Sequence, residues 1–500
     1  MNLSPRAKFS IMMFLEFFIW GAWFPLASDY LSKLGFGDLS LSEVTPLPET
    51  VVYYLTLCGL GNLKGWILNG FAVASITAMF FSNQFADRNF ASERFLAFSH
   101  LVGGVAILAL GWVTTFWPFF LLMLLHSLFY VPTISITNSI AFANLENPQQ
   151  DFGKVRLWGT IGWIAASLPF VFILADWARV PSISEGFGAW LGAALGTPKT
   201  GAAYLEGVSY TYVAAGVASL LLAAFSLMLP HTPPKPGKEG ERFAWLEAMK
   251  LLNRPFLLIL FVVTFIDAAV HAGYFILTAS YLTDAIHIPG QWIMPVMTIG
   301  QLAEILTMAA LGFVLKTFGW RVTMVVGVLG HAARFGVFAL YTTPLSPTIF
   351  GFLPDPLPAI LAVALHPAVL VNVLHGICYA FFFATLYIFV DEYFPKDARA
   401  SAQGLFNFLI LGFGPFVANL IWPSLETHFK VNGVVQYQTL FLFPAGSALV
   451  AAILLALFFH PPRKVVTVPE EDADWMPPEG DPGAIAAGFP KENTGVRRES

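Results

Sequence analysis

Charge is scarce in this chain. Of its 500 residues only 11% are Asp, Glu, Lys or Arg, and cysteine is limited to Cys58 and Cys378. Two cysteines build no disulfide framework in a chain of this length, and neither sits in a metal-ligand spacing, which excludes a stapled secreted scaffold and a zinc module. The hydrolase signatures HExxH and GxSxG are missing, which disfavours an intramembrane enzyme. No cleavable leader is visible: the first apolar run is too long for a signal core, lacks a clear small-residue cleavage site, and reads as a helix that is kept.

What the chain has is apolar surface. It is 57% hydrophobic and 15% aromatic, with a mean hydropathy of +0.69, well outside the range of soluble domains. A membrane helix needs about 20 largely apolar residues. Twelve such runs are found, at 8–32, 66–86, 95–114, 116–143, 155–175, 209–230, 255–283, 289–315, 321–342, 360–392, 400–423 and 437–460. The expected fold class is an all-α integral membrane protein of twelve transmembrane helices. Cations sort along the chain as the positive-inside rule requires when both termini are cytoplasmic. Arg88, Arg94, Lys154, Arg254, Lys316, Arg321, Lys396 and Arg399 fall on the inner side; Lys33, Lys64, Arg179, Lys199 and Lys430 fall on the outer side.

The polar, Pro/Gly-bearing segment 231–253 separates six runs from six. The implied division is an N-terminal bundle (1–230), a cytoplasmic loop (231–253), a C-terminal bundle (254–460) and an acidic tail (461–500) expected to be disordered. Loops 36–65 and 177–208 read as partly ordered extracytoplasmic covers. The net charge of −5 comes largely from the tail, so it carries no implication of nucleic-acid binding. Two six-helix halves about a central loop are the layout of carriers that bind their substrate at mid-membrane.

Charged residues inside apolar runs are expensive and point to a polar cavity. Arg156 and Glu304 lead, one in each half. In the fifth run Arg156, Thr160 and Trp163 share one helix face, while Gly159 and Gly162 permit close helix approach. An Arg156 that snorkels to the interface explains the same pattern, so both readings stay open. In the eighth run Gln301 and Glu304 lie one turn apart and could grip a ligand rich in donors and acceptors; Glu304 paired to Arg334 is the structural alternative. His375 and Tyr379 share a face of the tenth run, and Phe381, Phe382 and Phe383 beside them read as packing. Asp267, His271 and Tyr274 follow helical spacing in the seventh run, as a proton shuttle or as a mutual hydrogen bond. Glu16 lies near the middle of the first run, with Trp20 and Trp23 on its face. His126 and His331 read as satisfied helix contacts.

Eight stretches, in order, resemble the bacterial nucleoside:proton symporters of the major facilitator superfamily: FLEFFIWGAWF around 15–23, FADR (85–88), YVPTISITNSI (130–140), VRLWGTIGWI (155–164), GQLAEILTM (300–308), ARFGVFALY (333–341), LHGICYAFFF (374–383) and DARASAQGLF (397–406). FADR alone is weak; the arginine–WGTxG, QxxE and RASAQG motifs in their proper runs are specific together. The resemblance implies two bundles around a central nucleoside pocket, with contacts from Arg156, Thr160, Trp163, Gln301, Glu304, His375 and Tyr379. Trp163 stands where the family has a phenylalanine and His375 where it has a tyrosine. The family's Gln and Asn in the seventh run find no register here, and His271 or Tyr274 stand in. Ala380 replaces a frequent aspartate and Glu16 a frequent glutamine, so the proton-coupling acid is Glu304, Asp267 or Glu16.

The function expected is nucleoside import with protons across the cytoplasmic (inner) membrane, by a multi-pass monomer in the lipid bilayer that needs no metal or cofactor and binds no nucleic acid. A carrier of another polyhydroxylated solute, such as a sugar, and a non-transporting receptor are the alternatives.

Overall fold

A computed structural model describes residues 4–39, 41–45, 48–57, 60–78, 89–234, 251–350, 352–354, 356–394 and 396–461. The expectations for FADR, Cys58, most of the loop 231–253 and the acidic tail lie outside these residues.

The described chain is helical almost throughout, and ten of its helices are long and apolar enough to cross a membrane. We label the principal helices α1 (Pro5–Lys33), α2 (Leu63–Thr77), α3 (Ser92–Ala109), α4 (Phe116–Asn144), α5 (Pro148–Ile173), α6 (Gly201–Ser226), α7 (Pro255–Asp284), α8 (Gly290–Leu340), α9 (Pro367–Tyr393), α10 (Ala402–His428) and α11 (Tyr437–Phe458). α2 is not among the ten, because its described part ends inside the run 66–86. α8 covers two of the expected runs. At Gly319 its backbone takes φ +72° and ψ 175°, a conformation open to glycine and costly for residues with a Cβ, and the chain there turns from one leg into the other.

Local chemistry sets the helix ends. Ser4 caps α1 by accepting the Ala7 N–H at 3.3 Å, with Pro5 in the first turn where its missing donor does no harm. The run 360–392, expected as one helix, is divided. Leu357–Leu365 ends at His366, which is extended (φ −65°, ψ 133°) because Pro367 follows it, and α9 starts at that proline. The loop 177–208 is more helical than expected: it contains the helix Phe187–Gly196 and gives its last residues to α6, and loop 36–65 contains Glu49–Leu57. The strand pair Lys430–Val431 and Val434–Val435 departs from the all-helical reading. Asn432 and Gly433 between them both have positive φ, as a two-residue hairpin turn requires.

Glycines bring the site-bearing helices into contact. A Cβ on Gly162 of α5 would lie 2.1 Å from the Phe14 carbonyl oxygen of α1, and one on Gly21 would lie 2.9 Å from Trp163. A Cβ on Gly376 of α9 would meet the Ala303 carbonyl carbon and the Glu304 nitrogen of α8 at 2.4 Å. These contacts are with backbone, which cannot swing aside, so α1 locks against α5 and α9 against α8. Gly162→Leu should therefore destabilise by at least about 1–3 kcal/mol, read as lost monodisperse protein after detergent extraction. Gly153→Ala in the same helix meets nothing within 4 Å and should be neutral. Equal yields for the two variants would contradict this packing.

Candidate functional site

Arg156, Thr160 and Trp163 project from one face of α5 and are each partly exposed. Arg156 turns toward α1. Its guanidinium lies over the Phe17 ring of α1, 3.9 Å from the centroid, a favourable seat for a cation out of water. Gly159 makes that seat possible, since a Cβ there would be 2.6 Å from an Arg156 nitrogen and 2.7 Å from the Phe17 ring. Trp163 meets Trp20 edge-on at 5.3 Å, Trp20 stacks on Phe71 at 5.0 Å, and Phe24 reaches Phe275 of α7 at 5.0 Å. These rings form an aromatic wall shared by both portions of the chain.

The opposing side comes from α8 and α9. Arg156 interacts electrostatically with Tyr379 and Glu304, both from beyond residue 254, and with Tyr130 and Glu16. Glu304 and Tyr379 are partly exposed, and Arg156 and Glu304 lie within electrostatic reach of each other without an ion pair at contact distance. Gln301, one turn from Glu304, is 9% exposed, and its Oε1 accepts no hydrogen bond. A buried amide oxygen without a donor is a costly feature unless something else supplies one.

The remaining expected contacts are placed differently. His375 is 2% exposed and its Nδ1 accepts from Arg334 at 2.9 Å. Arg334 also donates to His331 Nδ1 at 2.9 Å and lies over the Tyr274 ring at 4.1 Å. His271 stacks on His375 at 4.9 Å and remains partly exposed. Thus His375 and Tyr274 belong to a buried network behind the open face, with His271 at its edge. The Glu304–Arg334 pairing weighed from the sequence does not form. His331 is part of this network, not a simple helix contact, and the spacing of His331 and Arg334 within one run was the signal. Asp267 and His271 make no bond to each other: neither carboxylate oxygen of Asp267 has a hydrogen-bond partner.

Glu16 is fully buried and fully bonded. His100 Nε2 lies 2.9 Å from Oε2, Thr133 donates to Oε1 at 2.8 Å, and Tyr130 donates to the backbone carbonyl at 2.7 Å. Ser219 of α6 sits 3.0 Å from His100 Nδ1. His100, Thr133 and Ser219 escaped the sequence reading, because nothing along the chain ties α1 to α3, α4 and α6.

At one end of the bundle, hydrogen bonds join the portions before 234 and after 251. Buried Lys64 donates to Glu426 at 2.6 Å and to Ser32 at 2.7 Å; Asn62 donates to the Pro423 carbonyl at 3.1 Å. Asp29 accepts from Lys33 and, at 3.0 Å, from Tyr204, while Thr283 donates to it at 3.3 Å. Ser28 donates to the Ile276 carbonyl at 2.5 Å and Asn419 to Asn69 at 3.1 Å. This end is closed. The crevice lined by Phe261, Val262, Phe265, Phe408, Leu409 and Phe413 offers only apolar side chains and no chemistry of this kind. Among the described residues no set of His, Cys, Asp or Glu is placed to hold a metal ion.

A predominantly helical membrane protein, sealed at one end, with a cation from one portion near a carboxylate from the other beside an aromatic wall, has the build of a secondary carrier. Solved structures agree on the fold: nucleoside transporter NupG (TM-score 0.68, 21% identity, 92% of this chain and 100% of that one) and a D-xylose-proton symporter (TM-score 0.61, 14% identity, 93% and 100%). The profile of the nucleoside H+ symporter family matches residues 1–50, 46–197 and 190–464. The chain is 32% identical to the putative nucleoside transporter YegT of Escherichia coli K12 over 94% of its length and 97% of that protein. It is 26% identical to the xanthosine permease of the same organism over 93% and 98%. The chain belongs to the nucleoside H+ symporter family, a family of carriers and not of enzymes, and is a multi-pass inner-membrane protein.

The closed Glu16 cluster has a measurable consequence. Glu16→Ala strands His100 in an apolar interior and should cost about 3 kcal/mol of stability. Adding His100→Ala to that variant should cost less than the same change in the parent chain. Thermal unfolding in detergent reads both; additive losses would show that the pair is not coupled.

Proposed function

We propose that this chain imports nucleosides together with protons, binding the nucleoside between Arg156, Thr160 and Trp163 on one side and Gln301, Glu304 and Tyr379 on the other. The observation that carries the reading is the unpartnered Oε1 of Gln301 beside Glu304, opposite Arg156. Ribose hydroxyls would donate to these oxygens, and a base would stack against Trp163, which meets Trp20 edge-on, or against Tyr379. A nucleoside supplies several hydroxyls and a flat ring at once. The family profile and the relatives, among them the nucleoside permease NupG of Escherichia coli K12 at 26% identity, support the same substrate class.

On this reading the chain has twelve membrane helices in two six-helix halves, 1–230 and 254–460, with both legs of α8 crossing and both termini cytoplasmic. The closed end is then extracytoplasmic and the site opens inward. Import follows when the halves rock about the site, breaking the Lys64–Glu426 closure and remaking it behind the substrate. His375, Tyr274 and His271 support the pocket from behind, and the protein works as a monomer. A sugar carrier of the same fold is the reading to be excluded.

The test is uptake of labelled uridine and adenosine into vesicles, with D-xylose in parallel. Nucleosides should accumulate and xylose should not. Glu304→Ala should lower nucleoside uptake at least about tenfold, the loss expected for a hydrogen bond to a charged group, at normal expression. 2′-Deoxynucleosides should be carried less well, because they strand a buried acceptor. Xylose uptake, or normal uridine uptake by well-expressed Glu304→Ala, would overturn the assignment.

A further inference from the structure

Of the three candidate proton-coupling acids, Glu16 is closed by His100 and Thr133, and Glu304 lies within electrostatic reach of Arg156. Asp267 is different. It is fully buried on α7, and neither of its oxygens has a hydrogen-bond partner. The approach nearest to a contact is His331 Nε2, 3.7 Å from Oδ2. An anion left this way in the interior of a protein is costly, and such groups are retained where they do work.

The surrounding bonds determine the protonation of the neighbours. Arginine only donates, so the Nδ1 atoms of His331 and His375, each 2.9 Å from an Arg334 nitrogen, must both accept. Both rings are therefore neutral, with their hydrogens on Nε2. His331 Nε2, carrying its hydrogen, then stands 3.7 Å from Asp267 Oδ2, and when Asp267 is ionised the cluster's formal charges are the Arg334 cation and the Asp267 anion. His271 lies one turn along α7 from Asp267. Its Nδ1 has no partner, its ring stacks on His375 at 4.9 Å and stands 6.3 Å from Tyr379, and it keeps part of its surface exposed.

Other groups facing this part of α7 are Tyr274 on the same helix and Cys378 on α9. α10 meets it through Gly414 and Trp422, neither of which titrates. Tyr437 of α11 stands against Tyr281 at 5.5 Å, and Asp29 of α1 against Thr283, both near the far end of α7.

We infer that Asp267 is the proton-binding group of this carrier, loaded through His271 and coupled to the substrate site through Arg334 and His375. The proton arrives on water from the acidic side, forms an O–H bond at the Asp267 carboxylate, and leaves to water on the opposite side. Neutralising Asp267 leaves Arg334 without its counter-charge. Arg334 holds His375, whose ring packs against the Gly300 position of α8, where a Cβ would come within 2.8 Å. Gln301 is the next residue, so a change in the cluster's charge reaches the nucleoside's partners through direct contacts.

The inference rests on the proposed symport, so the test has one arm that needs no substrate. Acidifying the purified protein should raise a carboxylic-acid infrared band that Asp267→Asn removes and Glu304→Gln keeps. In vesicles, the parent protein should concentrate uridine about tenfold per pH unit for each proton carried. Asp267→Asn should still exchange labelled for unlabelled uridine yet bring its accumulation ratio down to about one, and Asp267→Glu should restore part of the gradient. An infrared band that survives in Asp267→Asn, or full pH-driven accumulation by that variant, overturns the proposal. A lost band in a protein that carries no nucleoside would instead uphold the proton site and overturn the transport reading.

Discussion

The structure depends on a charge pair that is kept apart. Arg156, seated on Phe17, and Glu304, held beside Gly376, sense each other electrostatically without joining. A closed ion pair would leave nothing for a ligand to satisfy. Held apart, the two present a cation and an acceptor from opposite portions of the chain, so a neutral solute carrying both donors and acceptors can bridge them. The glycines at 159, 162 and 376 maintain the arrangement, because each lets one backbone come so close to another helix that the polar side chain beside it has little freedom to move.

Three acids on the long apolar helices show how environment divides labour among similar chemistry. Glu16 is completed by His100 and Thr133, with Ser219 holding the far side of the His100 ring, and the cluster ties α1 to α3, α4 and α6. Glu304 opens on the space between the portions. Asp267 has neither bonds nor solvent, only the nearby fields of Arg334 and His331. Burial alone does not distinguish these roles; the hydrogen-bond partners do. The Lys64–Glu426 pair at the closed end is a fourth case, in which a buried cation and carboxylate are joined at 2.6 Å and bind two portions of chain together.

Much of this was legible along the chain. Composition put the protein in a membrane, helical periodicity set Arg156, Thr160 and Trp163 on one face and Gln301 beside Glu304, and Gly159 and Gly162 announced the close approach of another helix. What stayed hidden were relations between distant segments. Arg334 is visible as a charge in an apolar run, but only packing shows that it binds two histidines 3 and 41 residues away and not Glu304. His100 gives no periodic signal tying it to Glu16, 84 residues earlier. Lys64 reads along the chain only as an outer-side cation, since nothing in sequence reveals that it meets Glu426. The break at His366 was missed because hydropathy is continuous through a residue whose backbone turns, whereas the turn at Gly319 falls in the gap expected between the runs 289–315 and 321–342.

The central claim is that one polar site is shared between the two portions, and ligand-induced stabilisation tests it most directly. A nucleoside that binds the folded protein alone must raise its unfolding temperature in step with concentration. Uridine should do so for the parent protein, and the shift should vanish in Arg156→Ala and in Glu304→Ala alike, one substitution from each side. An undiminished shift in either variant would contradict a shared site.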